Sequence, residues 1–135
     1  MKLVLCYTVF NGLELLEKSI SSMYEHVDEI LICYQSTSNK GEFNSEVEPF
    51  VQYLERKYNK ITLSYFYPTF PLSTKQQERI KHTNMMKDAR MLGATHYIIA
   101  ACDHFYTHED IVRTKQIVID NDIDVTLTRM KTYYK

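Results

Sequence analysis

Glycine is scarce in this chain, with only three residues in 135, and tryptophan is absent. No glycine-rich turn follows the first predicted strand, where Thr8 to Gly12 read Thr-Val-Phe-Asn-Gly. Neither a dinucleotide-binding fingerprint nor a P-loop is therefore present. A Gly-x-Ser-x-Gly elbow is also missing, which leaves a hydrolase triad without its usual anchor. The common glycine-cradled and serine-nucleophile sites are excluded.

Cysteine is scarce as well. Cys6, Cys33 and Cys102 are far apart and form no metal-type pair. Their odd number argues against a disulfide framework. Each falls in a predicted strand, where a thiol behaves as a small apolar side chain. We expect all three to be buried, reduced and structural.

Long apolar runs and excess charge are also lacking. No uninterrupted apolar stretch reaches membrane-spanning length, and the start from Met1 to Tyr7 is too short for a signal peptide. The formal net charge of −1 gives no attraction for nucleic acid or an anionic membrane. The length fits one domain. We predict a single cytoplasmic domain with no membrane span and no nucleic-acid partner.

Strand-like and helix-like segments alternate along the chain. Apolar, β-rich strands are predicted at 3–9, 29–34, 61–67, around Tyr97, and at 123–130. Each of the four helices between them begins at a capping residue with its partner three positions later: Asn11 with Glu14, Ser45 with Glu48, Ser73 with Gln76, and Thr107 with Asp110.

This alternation predicts an α/β fold in which helices cover both faces of a mainly parallel sheet, a three-layer α/β/α arrangement. The chain ends at Lys135, soon after its last predicted strand. We therefore expect either that this strand lies at a sheet edge or that the sequence is the front part of a longer protein.

One apolar run leads directly into an acidic residue. Tyr97 to Cys102 precede Asp103, and such a run is typical of a strand buried on both faces of a parallel sheet. Ligands in open parallel sheets bind just beyond the carboxyl ends of the strands. A carboxylate there can hold a hard cation against a phosphate. The alternative is that Asp103 is an ordinary loop or helix-entry residue.

Two histidines follow Asp103 in the sequence. His104 and His108 are four residues apart, with Glu109 nearby, and could form a transition-metal site. The predicted helix cap at Thr107 separates them, so they do not share one regular element. We expect His108 to be a solvated polar residue.

Together, the order of these features resembles the GT-A glycosyltransferases, especially the large family-two group. A first strand leads to Asn11, a second strand ends in a Ser/Thr-rich loop, and a helix carries four polar or basic residues. These four are Lys81, Asn84, Lys87 and Arg90. Gly93 and Tyr97 then introduce the acidic strand end. The resemblance covers about residues 2–130 and implies the fold of that family's nucleotide-diphosphosugar-binding front half.

In that family the acidic strand end reads Asp-x-Asp, and its second acid usually binds Mn²⁺ or Mg²⁺. The resemblance gives this role to Asp103, while Ala101 stands in place of the first acid. His104 follows and could donate an imidazole nitrogen to the same metal. The cation would stabilise charge on the departing nucleoside diphosphate.

The resemblance also implies where the nucleotide sugar binds. Thr8 and Phe10 would flank the base, with Tyr34 stacking on it and Gln35 or Ser36 hydrogen-bonding to it. Lys81 could face the diphosphate. The alternatives are an ordinary polar loop for 34–38 and a solvated helix face for Lys81.

The implied function is transfer of a sugar from a UDP- or GDP-activated donor to an unknown acceptor. The family's general base follows a fifth strand, so no catalytic base can be named here, and we expect the front part of a longer enzyme. A non-catalytic nucleotide-binding or scaffold domain of the same fold is the alternative, favoured by the missing acids at Ala101 and in the 34–38 loop. A receiver or flavodoxin-like domain fits less well, because no acidic pair or phosphate loop follows the first strand.

Overall fold

The structure is a computed structural model that describes residues 1–126. Its strands are β1 (Leu3–Val9), β2 (Glu29–Tyr34), β3 (Ile61–Tyr65) and β4 (His96–Ala100). Its helices are α1 (Leu13–Met23), α2 (Val47–Lys57), α3 (Thr74–Met91) and α4 (His108–Asn121), with a short 3-10 helix at Tyr24–His26.

The strands form one sheet in the order β3-β2-β1-β4, and every neighbouring pair is parallel. The predicted α/β fold with a parallel sheet is confirmed. The chain steps outward from β1 to β2 and β3, then returns to add β4 on the other side of β1. Connections between parallel strands of one sheet are right-handed. The reversal of direction at β1 should therefore carry α3 to the opposite face from α1 and α2.

The buried side chains show that helices do cover both faces. Leu5 and Tyr7 of β1 belong to the larger core, which also contains residues of α1, α2 and α4. Val4 and Cys6 of the same strand belong to a second core with Met85 of α3. This alternation along β1 reflects the two-residue period of a strand covered on both sides. The layers are those a three-layer α/β/α arrangement requires.

A buried polar chain links the larger core to the segment after β4. The Tyr7 hydroxyl and the Ser19 hydroxyl are 2.7 Å apart. Ser19 also donates a hydrogen bond to the backbone carbonyl of His104. Burial is the main cause that raises the pKa of Tyr7 to about 12, so its hydroxyl remains protonated. These contacts hold residues 101–107 against α1.

Two of the four predicted helix caps are present. Ser73 and Gln76 form a reciprocal capping box at α3, and Thr107 accepts a hydrogen bond from the Asp110 backbone at α4. The capping boxes predicted at Asn11 and Ser45 were wrong.

At α1 the cap position is Gly12, and at α2 it is Glu46, neither with a side-chain cap bond. The carboxylate of Glu48, expected to complete a box at α2, instead accepts a hydrogen bond from the Tyr34 hydroxyl at 3.3 Å. A tertiary contact has thus replaced the local one.

β4 is less buried than its apolar sequence predicted. Tyr97 and Ile99 are 49% and 47% exposed, so the expectation that both faces are covered was wrong. Tyr97 pairs with Val4 and Ile99 with Cys6, which places both on the α3 side of the sheet. α3 packs over β2 and β1, and β4 lies at the edge of the described sheet.

Two further sequence expectations differ in extent. β3 ends at Tyr65 and does not continue to Tyr67. Of the strand predicted at 123–130, residues 123–126 are described and are not in a strand, and residues 127–130 lie outside the described residues. Within residues 1–126, no helix combines the length and apolarity needed to cross a bilayer.

The three cysteines are free and buried, as predicted. Burial is the main cause that raises the pKa of Cys6 to about 12, and of Cys33 and Cys102 to about 11. Because the thiolate is the reactive form, these thiols should be inert in the folded protein.

We therefore expect none of the three thiols to react promptly with a disulfide-exchange reagent at pH 8 in the native protein. All three should react in the same protein unfolded by guanidinium, which serves as the control. Prompt stoichiometric labelling of the native chain would contradict the burial of these residues.

Candidate functional site

The carboxyl ends of the four strands meet at one edge of the sheet because the strands are parallel. In spatial order this edge carries Tyr65, Tyr34, Val9 and Ala100. The chain changes winding direction at β1, so the crevice between the ends of β1 and β4 is the topological switch point. Open α/β sheets bind their ligands at such a point. This edge is the candidate site.

Asp103 follows the end of β4, and its side chain is exposed. Cys102 turns inward and donates a hydrogen bond from Sγ to the Asn11 carbonyl at 3.4 Å. A Cβ added to Gly12 would lie 3.3 Å from the Cβ of Cys102, and Gly12 has a φ of +71°. Glycine therefore permits both the turn and the close approach. Cys102 packs against the end of β1, and Asp103 remains in solvent.

A second carboxylate lies at the same end. The negative charges of Asp103 and Glu14 add to the effect of burial in raising the pKa of the Cys102 thiol. Glu14 is an exposed residue in the first turn of α1. Sequence reasoning treated it only as a capping residue. The available signal was an acidic side chain just after the first strand, on the strand's ligand-binding side.

The donor chemistry here suits a hard cation that is shared with a ligand. Mg²⁺ is commonly held by one or two carboxylates together with substrate phosphates. The exposed Asp103 supplies one such group, and Glu14, whose charge also acts on Cys102, is the candidate for a second. In residues 1–126, no three His, Cys, Asp or Glu side chains converge to hold a metal. A cation at Asp103 would therefore need oxygen atoms from a bound ligand.

His104 has a different local role. Its Nδ1 accepts a hydrogen bond from the Ala101 backbone N–H at 3.1 Å. In a neutral ring the proton then resides on Nε2, and no lone pair is left for a metal. Acting as a ligand would require the ring to break this contact.

Gln35 and Lys81 form a buried polar network beyond the end of β2. Nζ of Lys81 lies 2.8 Å from Oε1 of Gln35 and 2.5 Å from a carboxylate oxygen of Glu78. Asn39 joins them, accepting from the Gln35 amide at 3.1 Å and donating to Glu78 at 2.8 Å. Gln35 is 2% exposed and Lys81 is 6% exposed. The network fixes the loop after β2 to α3.

The electrostatics of this network are balanced within the protein. Partial burial would raise the pKa of Glu78, but hydrogen bonds from Lys81 and Asn39 outweigh it and hold the pKa below its ordinary value. The Lys81 ammonium also lies 5.6 Å from the centre of the Phe66 ring. Each buried side-chain polar atom in residues 1–126 has a hydrogen-bond partner. The positive charge of Lys81 is thus already paired with the Glu78 carboxylate, without a phosphate.

Aromatic rings cover the rim beside this network. Tyr34 and Tyr65 meet edge to face with centroids 5.0 Å apart, and Tyr67 lies 4.3 Å from Tyr65. The Tyr65 hydroxyl accepts a hydrogen bond from the Ser36 backbone at 3.3 Å. Tyr34 is buried, whereas Tyr67 is 77% exposed. The ring most open for stacking is therefore Tyr67, not the predicted Tyr34.

Thr8 and Phe10, the two predicted residues of the first strand end, are half-buried. The Phe10 carbonyl accepts a hydrogen bond from the Asn44 amide at 2.9 Å. Val9 likewise accepts from the Gln35 backbone at 3.0 Å. The loop after β2 is thereby tied to the end of β1.

The predicted site residues fall into two groups along this edge. Gln35, Ser36 and Lys81 lie beyond β2, while Asp103 and His104 follow β4. The end of β1 separates the two groups, and the loop contacts to Phe10 and Val9 connect it with the first. The two groups together border the switch point. The group beyond β2 is held by hydrogen bonds among its own side chains, whereas Asp103 after β4 is exposed to solvent.

A hollow beside α1 is centred away from this edge, although Glu14 also lines it. It encloses about 540 Å³ between α1 and α2, and its wall includes Leu13, Glu17, Phe50 and Tyr58. Glu17 is already paired there with Lys57 at 2.5 Å. We favour the strand ends over this hollow because backbone topology, and not cavity size, brings the polar loops together.

No protein-family model matches this chain, and neither does any curated protein sequence.

The buried network yields a stability prediction. Replacing Lys81 by Met should destabilise the protein by about 1–3 kcal/mol, because Oε1 of the buried Gln35 loses its partner. Urea unfolding would measure the change. Lys87→Met, an exposed lysine on the same helix, is the matched control and should change the stability little.

The same substitution should alter the pH dependence. The lowered pKa of Glu78 contributes stability that is complete above the carboxylate's unfolded pKa and is lost as the pH falls through the lower folded value. Lys81→Met should reduce this acid-sensitive part of the stability. If its unfolding curves match those of Lys87→Met at both neutral and acid pH, the network has no such role.

Proposed function

We propose that this chain is a nucleotide-diphosphosugar-binding domain of the GT-A glycosyltransferase type, working with Mn²⁺ or Mg²⁺. The donor would be a UDP- or GDP-sugar, and its sugar would pass to an acceptor. The observation that carries the proposal is the exposed carboxylate of Asp103, directly beyond β4 and beside the end of β1. The sheet order β3-β2-β1-β4 makes that position a switch point.

Each part of the edge would contribute differently. Asp103, with Glu14 nearby, would hold the cation through its carboxylate oxygens. The cation would stabilise the charge that develops on the nucleoside diphosphate as the sugar departs. Phe10, Ser36 and Tyr67 would border the nucleoside, and the exposed Tyr67 ring is available to stack on it.

In this proposal Lys81 is a positioning residue rather than a phosphate ligand. Its ammonium is engaged by Gln35 and Glu78, so it holds the loop after β2 in place. Ser36, which follows Gln35, then keeps a fixed position beside the end of β2. This differs from the role that the family resemblance implied for Lys81.

A second candidate is a non-catalytic nucleotide-binding or scaffold domain of the same fold. Two observations favour it: Ala101 stands where the family has its first acid, and the polar groups beyond β2 are satisfied by one another. Binding without turnover would support this candidate.

Calorimetric titration of the full chain with UDP and with GDP, each with and without Mn²⁺, tests the proposal. We expect one of the two to bind in a metal-dependent way. Asp103→Asn should weaken that binding by about tenfold or more, since loss of even an indirect metal contact costs about 10–100-fold. Glu14→Gln should weaken it if that carboxylate shares the cation.

The matched control is Asp120→Asn, an acidic residue exposed on α4, which should bind as the unchanged protein does. Absence of binding to both nucleotides would overturn the proposal, and so would metal-dependent binding that Asp103→Asn leaves intact.

A further inference from the structure

Two histidines that are distant in sequence face each other on the surface. His26 ends the 3-10 helix after α1, and His108 is the first residue of α4. Nδ1 of His108 lies 3.2 Å from Nε2 of His26. The ring centroids are 4.8 Å apart, with planes inclined at 56°. The sequence alone paired His108 with His104, whereas the fold pairs it with His26.

We propose that His26 and His108 form a binding site for a divalent transition-metal ion of the zinc, nickel and copper class. Neutral imidazole is a preferred ligand of these ions. The site is separate from the edge that carries Asp103, and the proposal does not depend on the function proposed above.

The separation of the two nitrogen atoms matches that of two ligands on one metal. With Zn–N bonds of about 2.0–2.1 Å, two ligands of a tetrahedral zinc ion lie about 3.3–3.4 Å apart. The 3.2 Å between the two ring nitrogens is close to this value. In the metal-free pair one N–H must lie between the rings. A metal ion can replace that proton and accept a lone pair from both.

The backbone on both sides of the pair is held by other contacts. The Lys115 ammonium donates a hydrogen bond to the His26 carbonyl at 2.9 Å. Ser19 binds the carbonyl of His104, and Thr107 caps the helix that begins at His108. The rings therefore meet because the fold brings their elements together, which lowers the cost of ordering them around an ion.

The surroundings indicate an open, exchangeable site. No third His, Cys, Asp or Glu joins the pair in the part of the chain that the structure describes. Glu25 and His26 border a hollow of about 220 Å³ that can admit water. The charge of Lys115 opposes a cation and that of Glu25 favours it. Water would complete the coordination, as in sites that keep a free position.

Binding would have a structural consequence. A shared ion would join the start of α4 to the 3-10 helix that follows α1, and residues 101–107 lie between β4 and that junction. The segment bearing Asp103 would then be anchored at His108 as well as at Ser19. Metal occupancy would increase protection of this segment from hydrogen exchange.

Zinc titration of the full chain by calorimetry, without nucleotide, tests the proposal. We expect one Zn²⁺ per chain, with binding weakened at least about tenfold by His26→Ala and by His108→Ala, because even loss of a second-shell partner costs about 10–100-fold. His82→Ala is the matched control. The His82 ring lies 3.5 Å from the Glu78 carboxylate, so this pair is the alternative place where Zn²⁺ could bind.

Asp103→Asn should bind Zn²⁺ as the unchanged protein does, which separates this site from the proposed nucleotide site. NMR supplies a test that needs no variant: substoichiometric Zn²⁺ should shift the ring resonances of His26 and His108 together. The proposal is overturned if the unchanged protein binds no Zn²⁺ or if both histidine variants retain its affinity. Equal loss of binding in His82→Ala, or ring shifts confined to other histidines, would also overturn it.

Discussion

The hydrogen-bonded chain from Tyr7 through Ser19 to the His104 carbonyl is the contact on which the arrangement of both proposed sites depends. Tyr7 lies on the central strand and Ser19 on the helix that covers it, so the pair gives the segment after β4 a fixed partner in the core. Without that partner, residues 101–107 would have no buried polar anchor on α1. The direction of this segment determines where Asp103 emerges and where α4 begins. Two buried hydroxyl groups, those of Tyr7 and Ser19, thus link the sheet, a helix and a loop.

The two halves of the carboxyl edge have opposite character. Beyond β2, a lysine, a glutamine, an asparagine and a glutamate satisfy one another, and the burial of Gln35 and Lys81 makes the contact between these two costly to break. Beyond β4, Asp103 stands in solvent with Glu14 near it. A ligand at the switch point would therefore meet a preformed wall on one side and adaptable carboxylates on the other. Rigidity on one side reduces the ordering cost of binding, while the open side can still adjust to a cation.

Much of the fold followed from periodicity, because β1 and β2 are apolar runs with sharp polar boundaries. The bounds of both strands, the capping box of α3, the Thr107 cap of α4 and the parallel sheet agree with the sequence prediction. The predictions that were wrong came from local sequence patterns at positions where a tertiary contact determines the structure. Glu48 binds Tyr34 instead of capping α2. The exposure of Tyr97 and Ile99 depends on where α3 packs, which no strand pattern reveals.

The site residues could be proposed one by one, but the pairing of Gln35 with Lys81 spans 46 positions. The pairing of His26 with His108 spans 82. Contacts at such separations come from topology and have no signature in spacing.

In the part of the chain that the structure describes, the half-exposed strand β4 is an edge strand of the sheet. In the described residues, β4 pairs only with β1, so its far row of amide and carbonyl groups can accept another strand, and Tyr97 and Ile99 provide an apolar surface next to that row. Sheets commonly protect such borders with charge, prolines or bulges, because an unprotected border templates association between molecules. Here the border has only five residues, a length that limits how strongly it can template. The same open row is also where a parallel sheet of this winding can widen without disturbing the strands already in place.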